Sequence, residues 1–132
     1  MILVDTCVLI DVIEVDPIWS GWSQSALDEW GRRGPVCINP VVYAELTPDF
    51  DDPAALDGLL GKAGIEYREM PREALFLAAR AHQAYRRRGG ERSGVLPDFF
   101  IGAHARVANV PLLTRDPRRF RAAFPDLVLV TP

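Results

Sequence analysis

The chain is poor in lysine, histidine and cysteine. Lys62 is its single lysine, His82 and His104 are its two histidines, and Cys7 and Cys37 are its two cysteines. Both cysteines lie in apolar stretches, and no C-x-x-C or Cys/His ligand spacing occurs. That excludes a disulfide framework and a zinc site, and fits free thiols in a reducing compartment. No G-x-x-x-x-G-K-[ST] or G-x-G-x-x-G is present, which removes P-loop and dinucleotide sites. No apolar run approaches the ~20 residues a membrane span requires. The N-terminus carries no basic, hydrophobic and cleavage regions of a secretory signal, so the expectation is a cytoplasmic protein with no membrane association. Internal repeats and low-complexity segments are also missing.

What is present suits one domain spanning 1–132. The chain has 132 residues, 48% of them hydrophobic, enough for one core and too few for two. The net charge of −3 hides a division. Residues 1–70 hold 4 Lys+Arg against 13 Asp+Glu, and residues 71–132 hold 11 against 5. All cations but Lys62 are arginines, which favour bidentate phosphate contacts. The basic half is therefore either a phosphate footprint or a solvated surface balancing an acidic one.

Short apolar runs alternate with helical periodicity. Ile2–Val4, Val36–Ile38, Ile65–Arg68, Val110–Thr114 and Leu127–Val130 read as strands. Helices are expected from Cys7 to Val12, from Asp16-Pro17 through Trp30, from Asn39-Pro40 through Leu46, from Asp52-Pro53 to Gly61, from Met70-Pro71 into Arg86-Arg87-Arg88, from Leu96 to Ala108, and over Arg118–Phe124. Trp19, Trp22 and Trp30 share helical spacing and read as core, or as a partner surface. Strands separated by helices throughout predict an α/β fold, a three-layer α/β/α sandwich with a mostly parallel sheet. Asp5 and Asp116 each follow a strand, so both belong at its carboxyl edge, where α/β folds collect their ligands.

Four acids stand at element starts or inner faces: Asp5, Glu45, Asp98 and Asp116. Each has a structural explanation of its own. Asp5 can cap the helix that follows, Glu45 can sit on a rim, and Asp98 can complement a helix dipole. Gathered at one edge, they would repel unless a cation compensated. Mg²⁺ or Mn²⁺ prefers such oxygen ligands and can activate water against a phosphodiester. Arg86, Arg87 and Arg88 close a helix, which suits its dipole. With Arg92 and Arg115 they are also candidates for phosphate-backbone contacts. A receiver-type phosphoacceptor needs a lysine near its aspartate, and Lys62 between glycines serves poorly. His82 and His104 receive no role.

The segments Ile2-Leu3-Val4-Asp5-Thr6, Val42-Tyr43-Ala44-Glu45-Leu46, Leu96-Pro97-Asp98-Phe99-Phe100-Ile101-Gly102-Ala103 and Leu113-Thr114-Arg115-Asp116-Pro117-Arg118-Arg119-Phe120 resemble, in order and spacing, the motifs of PIN-domain ribonucleases. The nearest branch is the VapC toxins of type II toxin–antitoxin pairs. The resemblance implies a single PIN domain acting as a metal-dependent endoribonuclease on structured RNA such as tRNA or rRNA. It implies an acidic site holding Mg²⁺ or Mn²⁺, with Asp5 and Asp98 as direct ligands and Glu45 and Asp116 acting through water or a second ion. Thr114 and Arg115 would position substrate or ligand. It further implies a VapB-like antitoxin as partner, in a homodimer or a toxin–antitoxin hetero-oligomer. The three-tryptophan helix and the Thr47–Asp52 loop are the candidate antitoxin groove. The alternative is a catalytically inactive PIN-like module that binds RNA or a partner.

Overall fold

Ile2, Leu3 and Val4 form strand β1 (Ile2–Val4), with 0%, 3% and 0% of their surfaces exposed. A strand so covered on both faces belongs in the middle of a parallel sheet. In this computed structural model, which describes residues 1–90 and 94–132, it does. Leu3 pairs with Cys37 of β2 (Val36–Ile38) on one side and with Leu112 of β4 (Leu112–Leu113) on the other. β3 (Ile65–Tyr67) flanks β2, and β5 (Leu129–Val130) flanks β4. The order is β3-β2-β1-β4-β5 with every pairing parallel. Successive strands are added on one side of β1 as far as β3, and then the chain crosses back to β4. The order therefore reverses between β1 and β4, and the crevice outside their carboxyl ends is the place an open α/β sheet offers a ligand.

Seven helices connect the strands among the described residues. They are α1 (Thr6–Ile13), α2 (Ser20–Arg33), α3 (Pro40–Leu46), α4 (Pro53–Ala63), α5 (Arg72–Arg87), α6 (Leu96–Ala108) and α7 (Arg118–Ala123). α1 packs on α2, whereas α6 packs on both α5 and α7. These helices and the sheet make the α/β/α sandwich expected from the sequence. Among the described residues no helix is long and apolar enough to cross a membrane.

Local chemistry explains the helix ends. Asn39 is fully buried and caps α3, accepting from the amides of Val41 and Val42 at 3.0 Å, while Pro40 supplies a pre-set first residue. Its Nδ2 stands 3.3 Å from Nδ1 of His104, which ties α3 to α6. Burial pushes the His104 imidazole below its ordinary pKa, so it is neutral and can accept. α4 ends at Gly64 with φ +70°, and α6 ends at Asn109 with φ +56°, the two residue types that most readily take the left-handed conformation.

Two expectations need correction. α2 begins at Ser20 rather than at Asp16-Pro17, because the Asp16 carboxylate accepts from the amides of Ile18 and Trp19 and holds the chain in a turn first. The three tryptophans lie at the margin of the core, with Trp22 and Trp30 packed against it. All are half-buried, and the fully buried residues of α2 are Ser23 and Ala26, small enough to let α2 approach the body closely. Trp19 and Trp22 instead meet edge to face at 6.5 Å.

α6 approaches α7 at Gly102. A Cβ there would lie 2.6 Å from Cε2 of Phe124 and 3.0 Å from Cδ1 of Phe120. Both phenylalanines are buried, so the crowding has no easy release. Gly102→Ala is expected to lower unfolding stability by about 1–3 kcal/mol despite alanine's better helix propensity. Denaturant unfolding measures it, and a variant as stable as wild type would contradict the packing described.

Candidate active site at the carboxyl edge of the sheet

Asp5 leaves β1 and Thr114 leaves β4 side by side, the Asp5 amide donating to the Leu113 carbonyl at 2.9 Å. The Asp5 carboxylate is 6% exposed. Its Oδ1 accepts from the Thr6 amide at 2.8 Å and so caps α1. Its Oδ2 accepts from the Thr114 hydroxyl at 2.7 Å and from the Cys7 thiol at 3.3 Å. Burial, with the Asp98 charge adding to it, outweighs these donors and pushes Asp5 up from 3.8 to about 6. The same desolvation, reinforced by Asp5, pushes the Cys7 thiol up to about 12, so it remains a donor and not a nucleophile.

Thr114 is fully buried and faces two ways. Its hydroxyl donates to Asp5 and accepts from the Asp116 amide at 3.0 Å, which turns the chain so that Asp116 emerges exposed beside the site. Asp98 lies in the first turn of α6. Burial raises its pKa and the Asp116 charge adds to the rise, while an ion pair from Nη1 of Arg119 to Oδ2 opposes it. Glu45, on α3, is half-buried and joins from another side, its Oε1 accepting from the Thr6 hydroxyl at 2.6 Å.

The structure thus brings Asp98 within electrostatic reach of Asp5 and of Asp116 at the sheet edge and connects Glu45 to Asp5 through Thr6. Among the described residues, no three of His, Cys, Asp or Glu converge closely enough to hold one ion between them. The donors are nonetheless hard carboxylate oxygens around a partly buried negative centre. That chemistry fits a Mg²⁺- or Mn²⁺-sized cation, which binds through one or two carboxylates and otherwise keeps its water.

The basic residues divide. Arg88 shares a depression of about 310 Å³ with Tyr85, Asp116, Arg118 and Arg119, beside the acids. Arg86 and Arg87 line a separate hollow with Gln83, Gly89 and Gly90, and Arg92 lies outside the described residues. Arg115 points elsewhere: its Nε donates to Asp11 at 2.8 Å and its guanidinium stands 5.7 Å from the Trp19 ring. Asp11 is buried and also accepts from the Ser23 hydroxyl at 2.8 Å. Thr6, Cys7, Asp11 and Arg119 were not singled out by the sequence. Only the adjacency of Thr6 and Cys7 to Asp5 offered a signal.

A second concavity, of about 720 Å³, opens between α1, α2 and α4 and is lined mainly by apolar groups such as Leu9, Ile13, Leu27, Phe50 and Leu59. It holds none of the four acids. α2 and the Thr47–Asp52 loop border it as expected, but α2 does so through Gln24, Leu27, Asp28 and Gly31 and not through its tryptophans.

Comparison with known proteins gives a consistent family. Residues 2–125 match the model of the PIN domain. No curated protein matches the chain. Among solved structures, a chain of VapBC2 from Rickettsia felis, bound to a DNA fragment from their promoter, superposes with a TM-score of 0.73 at 19% identity, covering 99% of this chain and 98% of that one. VapBC-1 from nontypeable Haemophilus influenzae gives 0.74 at 17% identity, covering 99% and 98%. A toxin–antitoxin complex from Klebsiella pneumoniae gives 0.71 at 21% identity, covering 100% and 98%.

The pKa of Asp5 makes a stability prediction. A carboxyl whose folded value is raised stabilises the fold while protonated, and that contribution is lost as pH rises from 3.8 through about 6. In EDTA at pH 7.5, Asp5→Asn, which keeps the cap but removes the charge, is expected to stabilise the protein by up to roughly 3 kcal/mol. The gain should disappear near pH 4. Thermal melts of both proteins across this range test it, and a pH-independent difference would refute the assignment to Asp5.

Proposed function

The chain belongs to the PIN domain family, and from that premise we propose that it is a divalent-metal-dependent endoribonuclease, the toxin of a VapBC-type toxin–antitoxin pair acting in the cytoplasm on structured RNA such as tRNA or rRNA. The observation that carries the reading is the buried Asp5 at the strand-order reversal, electrostatically coupled to Asp98 and through it to Asp116. Two coupled carboxylates with raised proton affinity, Asp5 and Asp98, beside a third acid are a poor resting arrangement unless a cation belongs there.

In this reading Asp5 and Asp98 hold the Mg²⁺ or Mn²⁺ directly, and Glu45 and Asp116 act through water or a second ion. When bound, such an ion stabilises the negative charge that develops on a phosphodiester under attack. Thr114 keeps the Asp5 lone pairs aimed by its 2.7 Å hydrogen bond and fixes the turn that presents Asp116. In the same reading Glu45, held by the Thr6 hydroxyl, orients a water and accepts its proton. Arg88 and Arg118, in the depression beside Asp116, are the backbone contacts best situated for RNA. Arg86 and Arg87, in their separate hollow, and Arg92, outside the described residues, remain candidates for RNA contact, and Arg115 positions the β4–α7 turn through Asp11.

Purified protein is expected to cut RNA in Mg²⁺ or Mn²⁺, with Asp5→Asn and Asp98→Asn each losing more than about 100-fold, beyond what outer partners of a metal site usually cost. If wild type leaves total RNA intact with both metals, or the variants cut as well as wild type, the nuclease reading fails and the inactive binding module takes its place.

The apolar groove supports an antitoxin partner. VapBC and other toxin–antitoxin complexes share this fold, and a groove lined by Leu9, Ile13, Leu27 and Leu59 suits the apolar face of a partner helix. Leu59 is 38% exposed, so a charge there should spare the fold. Leu59→Glu is expected to abolish co-purification with the co-expressed product of the adjoining gene while leaving RNA cleavage intact. Undiminished co-purification would place the partner elsewhere.

A further inference from the structure

Five ion pairs occur among the described residues, and one of them involves the four acids of the site: Arg119 on Asp98. It joins the second residue of α7 to the first turn of α6 across the mouth of the site. The side chains are 34% and 25% exposed, so the pair is neither a screened surface contact nor sealed in the core. Asp5 has no comparable partner. Its oxygens are met by an amide, a hydroxyl and a thiol, all neutral. Arg115, four residues before Arg119, is bound to Asp11.

We propose that Arg119 is a built-in counter-ion for Asp98, standing where a divalent cation must go and leaving when one binds. The inference rests on the metal-dependent reading given above. A guanidinium on Oδ2 of Asp98 and a cation bound to the same carboxylate would be like charges a few ångströms apart, competing for one set of lone pairs. Each therefore weakens the binding of the other. Arg119 has somewhere to go, because its side chain borders the depression shared with Tyr85, Arg88 and Arg118. Swinging into it would place three arginines on the side from which a phosphate backbone would approach. The exchange keeps Asp98 compensated without the ion, and it lowers the site's apparent affinity for metal by the strength of the internal pair.

Calorimetric titration of Mn²⁺ into the EDTA-stripped, dialysed full chain tests this without any activity measurement. Arg119→Met keeps much of the aliphatic stem and removes the charge. It is expected to tighten Mn²⁺ binding by roughly tenfold. Arg119→Lys, still cationic, should stay near wild type. In an Asp98→Asn background the Arg119→Met gain should vanish, since the carboxylate that the two cations contest is gone. Arg119→Gln supplies the same comparison if the methionine variant does not fold. Equal or weaker Mn²⁺ binding by the neutral variants would overturn the role given to Arg119 and leave the metal site standing. No Mn²⁺ binding by wild type or any variant would overturn the metal site itself, and this inference with it.

Discussion

Asp5 carries a carboxylate to the end of the central strand, where almost no water reaches it. Desolvation, with the Asp98 charge adding to it, raises its proton affinity, and three neutral donors only partly offset the cost. Each donor comes from a different structural decision. The Thr6 amide is available because α1 starts there, and the Cys7 thiol because that helix turns inward. The Thr114 hydroxyl is available because β4 pairs with β1 in a register that sets Leu113 against Val4. A slip of one residue in that pairing would carry Thr114 to the other face of the sheet and remove the strongest of the three. Sheet register and site geometry are therefore one constraint.

The division of charge along the sequence acquires a meaning in the fold. Acidic and basic halves meet at the carboxyl edge of the sheet. Arg115 from the basic half neutralises Asp11 from the acidic half, and Ser23 completes the coordination of that buried carboxylate. The pair pins the β4–α7 turn to α1 and α2. Arg119, four residues on, lies over Asp98. The two arginines look equivalent in the sequence, but one compensates a carboxylate sealed at 1% exposure and the other a carboxylate open to the site. Breaking the first would leave a buried charge unpaired. The second can open at modest cost, because water is at hand to solvate both partners.

The features legible in the sequence were those written in consecutive residues. β1 and the acid that ends it, the Asn39-Pro40 and Asp52-Pro53 helix starts, and the Thr114–Asp116 turn all follow from local composition, and all stand where expected. Parallel topology followed from alternation of strand and helix. The contacts that assemble the site were illegible for the opposite reason. Thr6 reaches Glu45 across 39 residues, Arg115 reaches Asp11 across 104 and Arg119 reaches Asp98 across 21. No periodicity encodes such pairings. The tryptophans were legible only in part, Trp22 and Trp30 packing on the core from its margin, because helical spacing marks an apolar face without saying how near a neighbour comes. On α2 the close approach uses Ser23 and Ala26, and the large rings are left at the margin.

The candidate site and the apolar groove hold no residue in common, yet α1 belongs to both. Asp5 caps its first turn, and Thr6 and Cys7 face the acids. Leu9, Val12 and Ile13 from the same helix line the groove. α1 has eight residues, so roughly 12 Å of rigid backbone separates its ends. Asp11 lies between, tied to the turn that carries Asp116. A partner seated in the groove would press on the element whose first amide sets the orientation of the Asp5 carboxylate. A change in the charge on Asp5 would in turn alter the cap that holds that element in place. Two separate surfaces are thus two sides of one short helix, and the physical link between them is the hydrogen bond at its start.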